Sequence, residues 1–340
     1  MTIDLPISKS IANRLLILQA IHGDELMPVS DSMPDDVRIM SEAIRLLGER
    51  REARIDLGNC GTAMRFLTAY CAQLEGQTTI LDGVERMHHR PIGQLVDALR
   101  EIGADIEYLG EEGFPPLRIK GYTLHKRRIV TINNPQSTQF VSALLLIGAN
   151  VQTDSTSPYI YITQEVIKQF QLSPFSYHLS VEKDWSSAAF WYEYVALHGG
   201  EITLLGLSRD SLQGDKVVAD IFAHLGVRTT YTAEGVVISS SPLHPTPYTL
   251  HHDFSACPDL YPAVALTCER LGIELHATGV ESLPLKESDR LRAVAEHRTD
   301  ADHRMAMALL IAGYEVDDTA CISKSYPNFI EHFRHINSLK

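Results

Sequence analysis

Two distant stretches of this chain are written in the same order: an apolar-periodic helix, a Leu-Gly or Ile-Gly at its end, then two alternating strands. One runs from Leu95 through Ile102-Gly103 to Ile106-Glu107-Tyr108 and Leu117-Arg118-Ile119. The other runs from Val218 through Leu225-Gly226 to Thr229-Thr230-Tyr231 and Val236-Val237-Ile238. A recurring helix–hairpin unit predicts an α/β (α+β) fold assembled from copies of one βαβαββ module. Gly103 and Gly226 stand where left-handed helix ends are expected. Three other helical stretches lack the full hairpin. Asp35 to Gly48 is followed only by Glu49 to Asp56 before the loop at Leu57-Gly58-Asn59. Ile162 to Phe170 leads through a short Phe175 to Val181 segment to Trp185, and Asp289 to His297 is followed almost at once by Asp302. The repeats read as trimmed at these three places.

A chain of 340 residues is too long for one ordinary core and predicts two domains. The net charge of −13 argues against nucleic acid or an anionic membrane as partner, since both need a basic face or arm. The longest apolar runs, Phe140 to Gly148 and Met305 to Ala312, fall far short of the ~20 residues that cross a bilayer. Met1 to Pro6 is strand-like and lacks the features of a signal or transit peptide, so the expected setting is cytoplasmic. Cys60, Cys71, Cys257, Cys268 and Cys321 form no CxxC pair, and an odd, scattered set suits reduced thiols rather than a disulfide framework or zinc site. Cys60, beside Gly61, is read as a small buried apolar residue.

Against that acidic background, cations gather with hydroxyls and amides in short runs: Ser8-Lys9-Ser10 with Asn13 and Arg14, Lys286-Glu287-Ser288-Asp289-Arg290, and Asp302-His303-Arg304-Met305. Positive islands in an acidic protein point to a small anionic substrate. Lys9 and Asn13, like Ser10 and Arg14, are four apart, so a helix beginning near Ser8 sets each pair on adjoining faces at its positive end. A capped surface helix explains the same spacing. In Asn59-Cys60-Gly61-Thr62-Ala63-Met64-Arg65, Asn59 or Thr62 can cap the following helix and Gly61 lets a ligand approach the backbone, although an ordinary turn reads identically. Arg86 and Arg90 add guanidiniums before another helix. Lys286 and Arg290, with Glu287 and Asp289 between them, also fit a solvated ion-pair ladder worth well under ~1 kcal/mol per pair.

Taken in order, these runs resemble the 5-enolpyruvylshikimate-3-phosphate (EPSP) synthases, the 3-phosphoshikimate 1-carboxyvinyltransferase family of enolpyruvyl transferases. The residues that carry the resemblance begin with Leu5-Pro6, Ser8-Lys9-Ser10 with Asn13-Arg14, Asp35-Asp36-Val37-Arg38, Gly58-Asn59 with Gly61-Thr62-Ala63-Met64-Arg65, and Arg90-Pro91-Ile92. They continue through Ser137-Thr138-Gln139-Phe140, Pro158-Tyr159-Ile160, Asp184 with Ser186-Ser187-Ala188, Gln213-Gly214-Asp215 and Pro258-Asp259. Lys286 to Arg290, Asp302 to Met307 and Lys324-Ser325-Tyr326-Pro327 complete the set.

The resemblance implies two domains of βαβαββ repeats, with buried parallel helices and sheets outside, joined by two crossovers near Pro6 to Ser8 and Glu182 to Asp184. The domains would be 8–183 and a discontinuous 1–7 plus 184–340, with the active site in the cleft between them. It implies that the 5-hydroxyl of shikimate 3-phosphate attacks C2 of phosphoenolpyruvate while C3 is protonated, and that phosphate leaves the tetrahedral intermediate, with no metal or cofactor. Asp259 would accept the hydroxyl proton and Glu287 would donate to the methylene, with Lys9 touching both substrates and a candidate to share the acid/base work. Lys9, Gly61, Arg90, Gln139, Arg290, Arg304 and Lys324 would hold phosphoenolpyruvate. Lys9, Ser10, Arg14, Ser137, Thr138, Gln139, Asp259, Ser282 and Lys286 would bind shikimate 3-phosphate. Asn59, Thr62 and His303 would lie beside the site, His303 positioning and Asp302 anchoring its loop. The chain is expected to be a monomer, with association a way to cover the trimmed repeats.

Several positions depart from the family pattern. Ile7 replaces a glycine before Ser-Lys-Ser and cannot take a positive φ. Ser282 replaces an asparagine, Pro284 a basic residue, Thr156 a serine, Phe66 a proline and Cys60 an alanine. With Gly61 kept, the phosphonate mimic glyphosate is expected to fit, while Phe66 could shift the loop and weaken it. A non-catalytic, ligand-binding descendant of the family remains the rival reading. Lys9, Arg90, Asp259, Glu287, Arg304 and Lys324, all present, count against it. The related transferase acting on a UDP-sugar is the second rival. Ser8-Lys9-Ser10, the lack of cysteine in Val84 to His89, and Asp302-His303-Arg304-Met305 count against that one.

Overall fold

The computed structural model describes residues 1–172, 181–242 and 249–338, and the chain forms two compact units. The C-terminal unit holds Met1–Lys9, Asp31–Asp35 and Val181–Lys340; the N-terminal unit holds Ser10–Ser30 and Asp36–Ser180. The breaks fall after Lys9 and before Val181. Asp31–Asp35, which sequence reading left inside the N-terminal domain, goes with the other unit.

The N-terminal unit contains one whole module: β2 (Glu52–Asp56), α3 (Gly61–Ala72), β3 (Thr78–Asp82), α4 (Gly93–Glu101), β4 (Asp105–Tyr108) and β5 (Leu117–Lys120). Its sheet runs β2-β3-β5-β4, with β2 parallel to β3 (Ile55 opposite Leu81) and the other pairs antiparallel (Ile80 opposite Arg118, Ile106 opposite Ile119). The C-terminal unit repeats this from α7 (Trp185–His198), β8 (Glu201–Leu205), α8 (Val218–His224), β9 (Val227–Tyr231) and β10 (Gly235–Ser240), in the order β1-β8-β10-β9. Its first strand, β1 (Thr2–Asp4), comes from the start of the chain and pairs parallel to β8, Ile3 opposite Leu204. Gly103 and Gly226, just past α4 and α8, have φ of +101° and +83°, which a Cβ would disfavour.

Each unit then carries a second module cut to βαβα. In the N-terminal unit it is β6 (Ile129–Thr131), α5 (Thr138–Leu146), β7 (Asn150–Gln152) and α6 (Pro158–Leu172). In the C-terminal unit it is β11 (Thr249–Asp253), α9 (Tyr261–Leu271), β12 (Glu274–Thr278) and α10 (Arg290–Glu296). Among the described residues both keep only the parallel pair, β6 with β7 and β11 with β12. A third module in each is helices alone among the described residues: α1 (Lys9–His22) with α2 (Asp35–Glu49), and α11 (His303–Ala312) with α12 (Phe329–Ser338). Among the described residues trimming is therefore graded, from four strands to two to none, in the same way in both units. It goes beyond the three lost hairpins read from sequence. Most of the Phe175 to Val181 segment lies outside the described residues.

The central helices are apolar nearly all round because they are buried nearly all round. Trp185, Phe190, Trp191 and Tyr194 of α7 pack with Val264 and Leu266 of α9 and Met305, Met307 and Leu309 of α11 in one core. Each such large side chain contributes roughly 1.5–3 kcal/mol on burial. Cys60, Cys71, Cys257 and Cys268 are buried thiols and Cys321 is half-buried. No helix among the described residues is long and apolar enough to cross a membrane.

Candidate active site

Where β1 leads into α1, the chain runs against the strand that returns to α7. Ser8 N–H donates to the Glu182 carbonyl at 2.7 Å and Asp184 N–H to Pro6 at 3.0 Å, with Ile7 bridged antiparallel to Lys183. Ile7 thus sits in extended backbone, which a β-branched residue favours, and the glycine usual in the family is not needed. This pairing delivers Lys9, first residue of α1, to the C-terminal unit.

In that unit the beginnings of three helices bring the charged runs together. Asp259 lies in the 3₁₀ turn Pro258–Leu260 that opens α9, Arg290 is the first residue of α10, and Arg304 is the second of α11. Asp289 and Asp302 cap the latter two helices, accepting from Arg292 N–H and Arg304 N–H. Asp259 Oδ1 accepts from Arg290 Nη1 at 2.7 Å and lies 3.4 Å from Lys286 Nζ; its Oδ2 accepts from Arg304 Nη2 at 2.8 Å. Arg290, 1% exposed, also donates from Nε to Asp302 at 2.8 Å and from Nη2 to Glu287 at 3.1 Å. Glu287 in turn meets Lys324 Nζ at 3.2 Å. The ladder of solvated surface pairs is thereby excluded for this run.

These charges set one another. Burial alone would push the Asp259 carboxyl up, but Arg304, Lys286, Arg290 and Lys9 outweigh it and hold the group well below the usual carboxylate range. Burial works against the Arg290 charge, and Asp302, Asp259 and Glu287 reverse that, raising it. Lys286 is lowered, chiefly by burial. Asp215, held by the Ser186 hydroxyl, is pushed up to about 7, first by burial and then by the Asp259 charge. Asp184, the cap of α7, is raised mainly by burial. His303 is fully buried, with Nδ1 3.6 Å from Asp302 and neither ring nitrogen hydrogen-bonded; burial, then Lys9 and Arg304, keep its imidazole neutral. Asp302 anchors its loop as expected from sequence, through Ser288, Arg290 and the Arg304 N–H. Ser282 precedes the 3₁₀ turn Leu283–Leu285 and does not cap it.

The N-terminal unit gathers a second set. Gly61 begins α3 against Arg90, and a Cβ there would lie 2.6 Å from the guanidinium nitrogens. Arg90 Nη1 donates to the Asn59 carbonyl at 3.3 Å, while Arg65 ties the Gly61 and Pro91 carbonyls together. Gln139 Nε2 donates to Thr62 Oγ1 at 2.9 Å, and Ser137 caps α5 just before Thr138. Arg14 donates from Nε to Thr163, from Nη1 to the Ser10 carbonyl, and from Nη2 to Ser142 and the Tyr159 carbonyl. All four acceptors are neutral, and burial lowers the guanidinium to about 10. Phe66 is a core residue whose ring lies 5.2 Å from the Arg14 carbon, so it backs the arginine.

The structure thus collects Lys9, Asp259, Lys286, Glu287, Arg290, His303, Arg304 and Lys324 in one unit, and Asn59, Gly61, Thr62, Arg90 and Gln139 in the other. Sequence reading gave no role to Asp184, Asp215 or Ser186, although each lies in a quoted run; only the structure reveals their burial.

The EPSP synthase (3-phosphoshikimate 1-carboxyvinyltransferase) family profile matches residues 49–173, 147–298 and 294–333. The chain belongs to this family. A 3-phosphoshikimate 1-carboxyvinyltransferase from Bacteroides fragilis is 38% identical, the match covering 98% of this chain and 94% of that protein. One from Cellvibrio japonicus is 32% identical over 99% and 96%. The match to the Bacteroides protein extends over 394 positions, more than the 340 residues present here, so family members carry internal segments that this chain lacks. In fold, the chain is similar to an EPSP synthase structure from Acinetobacter baumannii, with a TM-score of 0.63 at 19% identity over 98% and 95% of the two chains.

Proposed function

We propose that this chain transfers the enolpyruvyl group of phosphoenolpyruvate to the 5-hydroxyl of shikimate 3-phosphate as a cytoplasmic monomer. The observation that carries the reading is the Asp259–Arg290–Arg304 constellation, in which a carboxylate is kept ionised inside a ring of cations. Shikimate 3-phosphate and phosphoenolpyruvate are both polyanions. Arg290, Arg304 and Lys324, with Lys9, Arg90 and Gln139, are assigned to the phosphate and carboxylate of phosphoenolpyruvate, with Gly61 giving it room beside Arg90. Lys9, Ser10, Ser137, Thr138, Gln139, Asp259, Ser282 and Lys286 are assigned to shikimate 3-phosphate. Arg14 is assigned to its phosphate as the positive charge behind Ser10, since no carboxylate is among its hydrogen-bond partners.

The surrounding cations favour the ionised form of Asp259 and make it by itself a weak base. Substrate anions on Arg304, Arg290 and Lys286 offset those cations, so Asp259 gains basicity when the hydroxyl is present. Glu287, held by Arg290 and Lys324, gives a proton to the methylene from its protonated form and takes one back from the resulting methyl group as phosphate leaves, which restores the double bond. The remaining cations stabilise the charge that develops on the phosphate as it leaves. Phosphate release measured with both substrates, beside Asp259→Ala, tests the reading. Release that needs both substrates and collapses in the variant is the expected result. Absence of release, with shikimate 3-phosphate still bound by calorimetry, would defeat it in favour of a scaffold without chemistry.

A further inference from the structure

The connection between α1 and α2 ends in two adjacent aspartates that belong to different units. Asp35 clusters with the C-terminal unit and Asp36 with the N-terminal one. The Asp35 carboxylate accepts the hydroxyl of Ser323, in the 3₁₀ turn Ala320–Lys324. The same hydroxyl lies 3.0 Å from the Ala320 carbonyl at the start of that turn. Lys324 follows directly. Two residues beyond it, Tyr326 is buried and pinned through its hydroxyl to Trp191 Nε1 at 3.0 Å and His332 Nδ1 at 2.9 Å. Lys324 is therefore held on both sides, by Tyr326 in the core and by Ser323 on Asp35. In the N-terminal unit, the Asp36 carbonyl lies 3.9 Å from the thiol of Cys60, the residue that opens α3 just before Gly61.

From these contacts we infer that Asp35 is a positioning residue for Lys324. The inference rests on the assignment of Lys324 to phosphoenolpyruvate. Loss of the Ser323–Asp35 bond frees the turn that aims Lys324.

The decisive experiment measures KM for each substrate, shikimate 3-phosphate affinity by calorimetry, and melting temperature in Ser323→Ala, Asp35→Ala, the double variant and Ser323→Thr. Ser323→Ala leaves α2 unaltered. Each alanine variant is expected to raise the phosphoenolpyruvate KM roughly 5- to 20-fold, the scale of one lost charge-assisted hydrogen bond. Shikimate 3-phosphate affinity and melting temperature should hold. The double variant should be no worse than either single one, and Ser323→Thr should restore the wild-type value. An unchanged phosphoenolpyruvate KM in both alanine variants of an active enzyme overturns the inference alone. So does a parallel loss of both substrates' binding with a lower melting temperature, the mark of a merely structural bond. A wild-type protein that releases no phosphate defeats the functional reading first.

Discussion

Arg290 and Arg14 are both buried guanidiniums near the starts of helices, and their surroundings are opposite. Arg290 is met by Asp259, Asp302 and Glu287, and its charge is stabilised. Arg14 is met by hydroxyls and carbonyls, and burial lowers it to about 10. A guanidinium matched by carboxylates fixes their ionisation. One left with neutral acceptors keeps its positive potential for an incoming anion. In the proposed reaction the C-terminal unit would set the proton affinity of Asp259, and Arg14 of the N-terminal unit would meet the phosphate of shikimate 3-phosphate.

The largest test of that division is Asp259→Asn, which keeps shape and removes the base. The turnover of phosphate release should fall about 10²- to 10⁴-fold, while calorimetric affinity for shikimate 3-phosphate changes far less. An unchanged turnover would break the assignment of proton transfer to the C-terminal unit.

A paired comparison of stability comes next. Arg290→Met leaves three carboxylates buried without their common partner, a loss of about 3–5 kcal/mol by the usual cost of breaking a buried pair. Because Asp259 then loses one of the cations that hold its carboxyl down, stability should fall further as pH rises from about 4 to 8. Arg14→Met strands only neutral acceptors, at about 1–3 kcal/mol, and its stability loss should not vary over that range. Urea unfolding of both variants at pH 5 and pH 8 decides the matter, and equal pH slopes would erase the contrast.

How much of this was legible in the sequence follows from the same contrast. The whole modules were visible because each strand needs a buried face, which writes alternation into Ile106-Glu107-Tyr108 or Val236-Val237-Ile238. The two-strand and strandless modules were legible only as shortened spacing, since a missing strand leaves no pattern to read. Lys286 to Arg290 looked like a solvated helix face. The i, i+3 and i, i+4 spacing is the same whether such a face meets water or Asp259 and Asp302. Order along the chain, not local pattern, pointed to the family. Asp215 and Asp184 carried no signal of their protonation, because that depends on burial by α7 and on charges distant in sequence. The Asp31–Asp35 excursion lies in a short polar loop whose contacts nothing local dictates.

On the N-terminal side, Gly61→Ala tests the assignment of Arg90 to phosphoenolpyruvate. The added methyl would lie 2.6 Å from the Arg90 guanidinium, which must move. The phosphoenolpyruvate KM should rise about 10-fold, equivalent to ~1.4 kcal/mol, and glyphosate inhibition should weaken with it. Shikimate 3-phosphate affinity should stay unchanged, because Arg14, Ser137 and Thr138 are not displaced. Steady-state kinetics with each substrate varied would expose a general disturbance as a rise in both constants.

The smallest effect concerns Asp215, whose carboxyl is pushed up to about 7 by burial and the Asp259 charge. A carboxyl raised in the folded state contributes stability below its unfolded value near 4 and loses that contribution as pH climbs through the folded value. Asp215→Asn removes the titration and keeps an acceptor for the Ser186 hydroxyl. The variant should therefore melt close to wild type at pH 5 and above it at pH 8. The gain is about 2–4 °C for each kcal/mol of relieved charge in a domain of this size. The sign is opposite to that of Asp259, whose depressed carboxyl supports the fold above pH 4 and withdraws that support as pH falls. Differential scanning calorimetry of Asp215→Asn and Asp259→Asn at the two pH values sets the two aspartates against each other. If both variants shifted in the same direction at pH 8, the cations would not be serving Asp259 in preference to its neighbour, and the C-terminal unit would have no means of setting one carboxylate apart as the base.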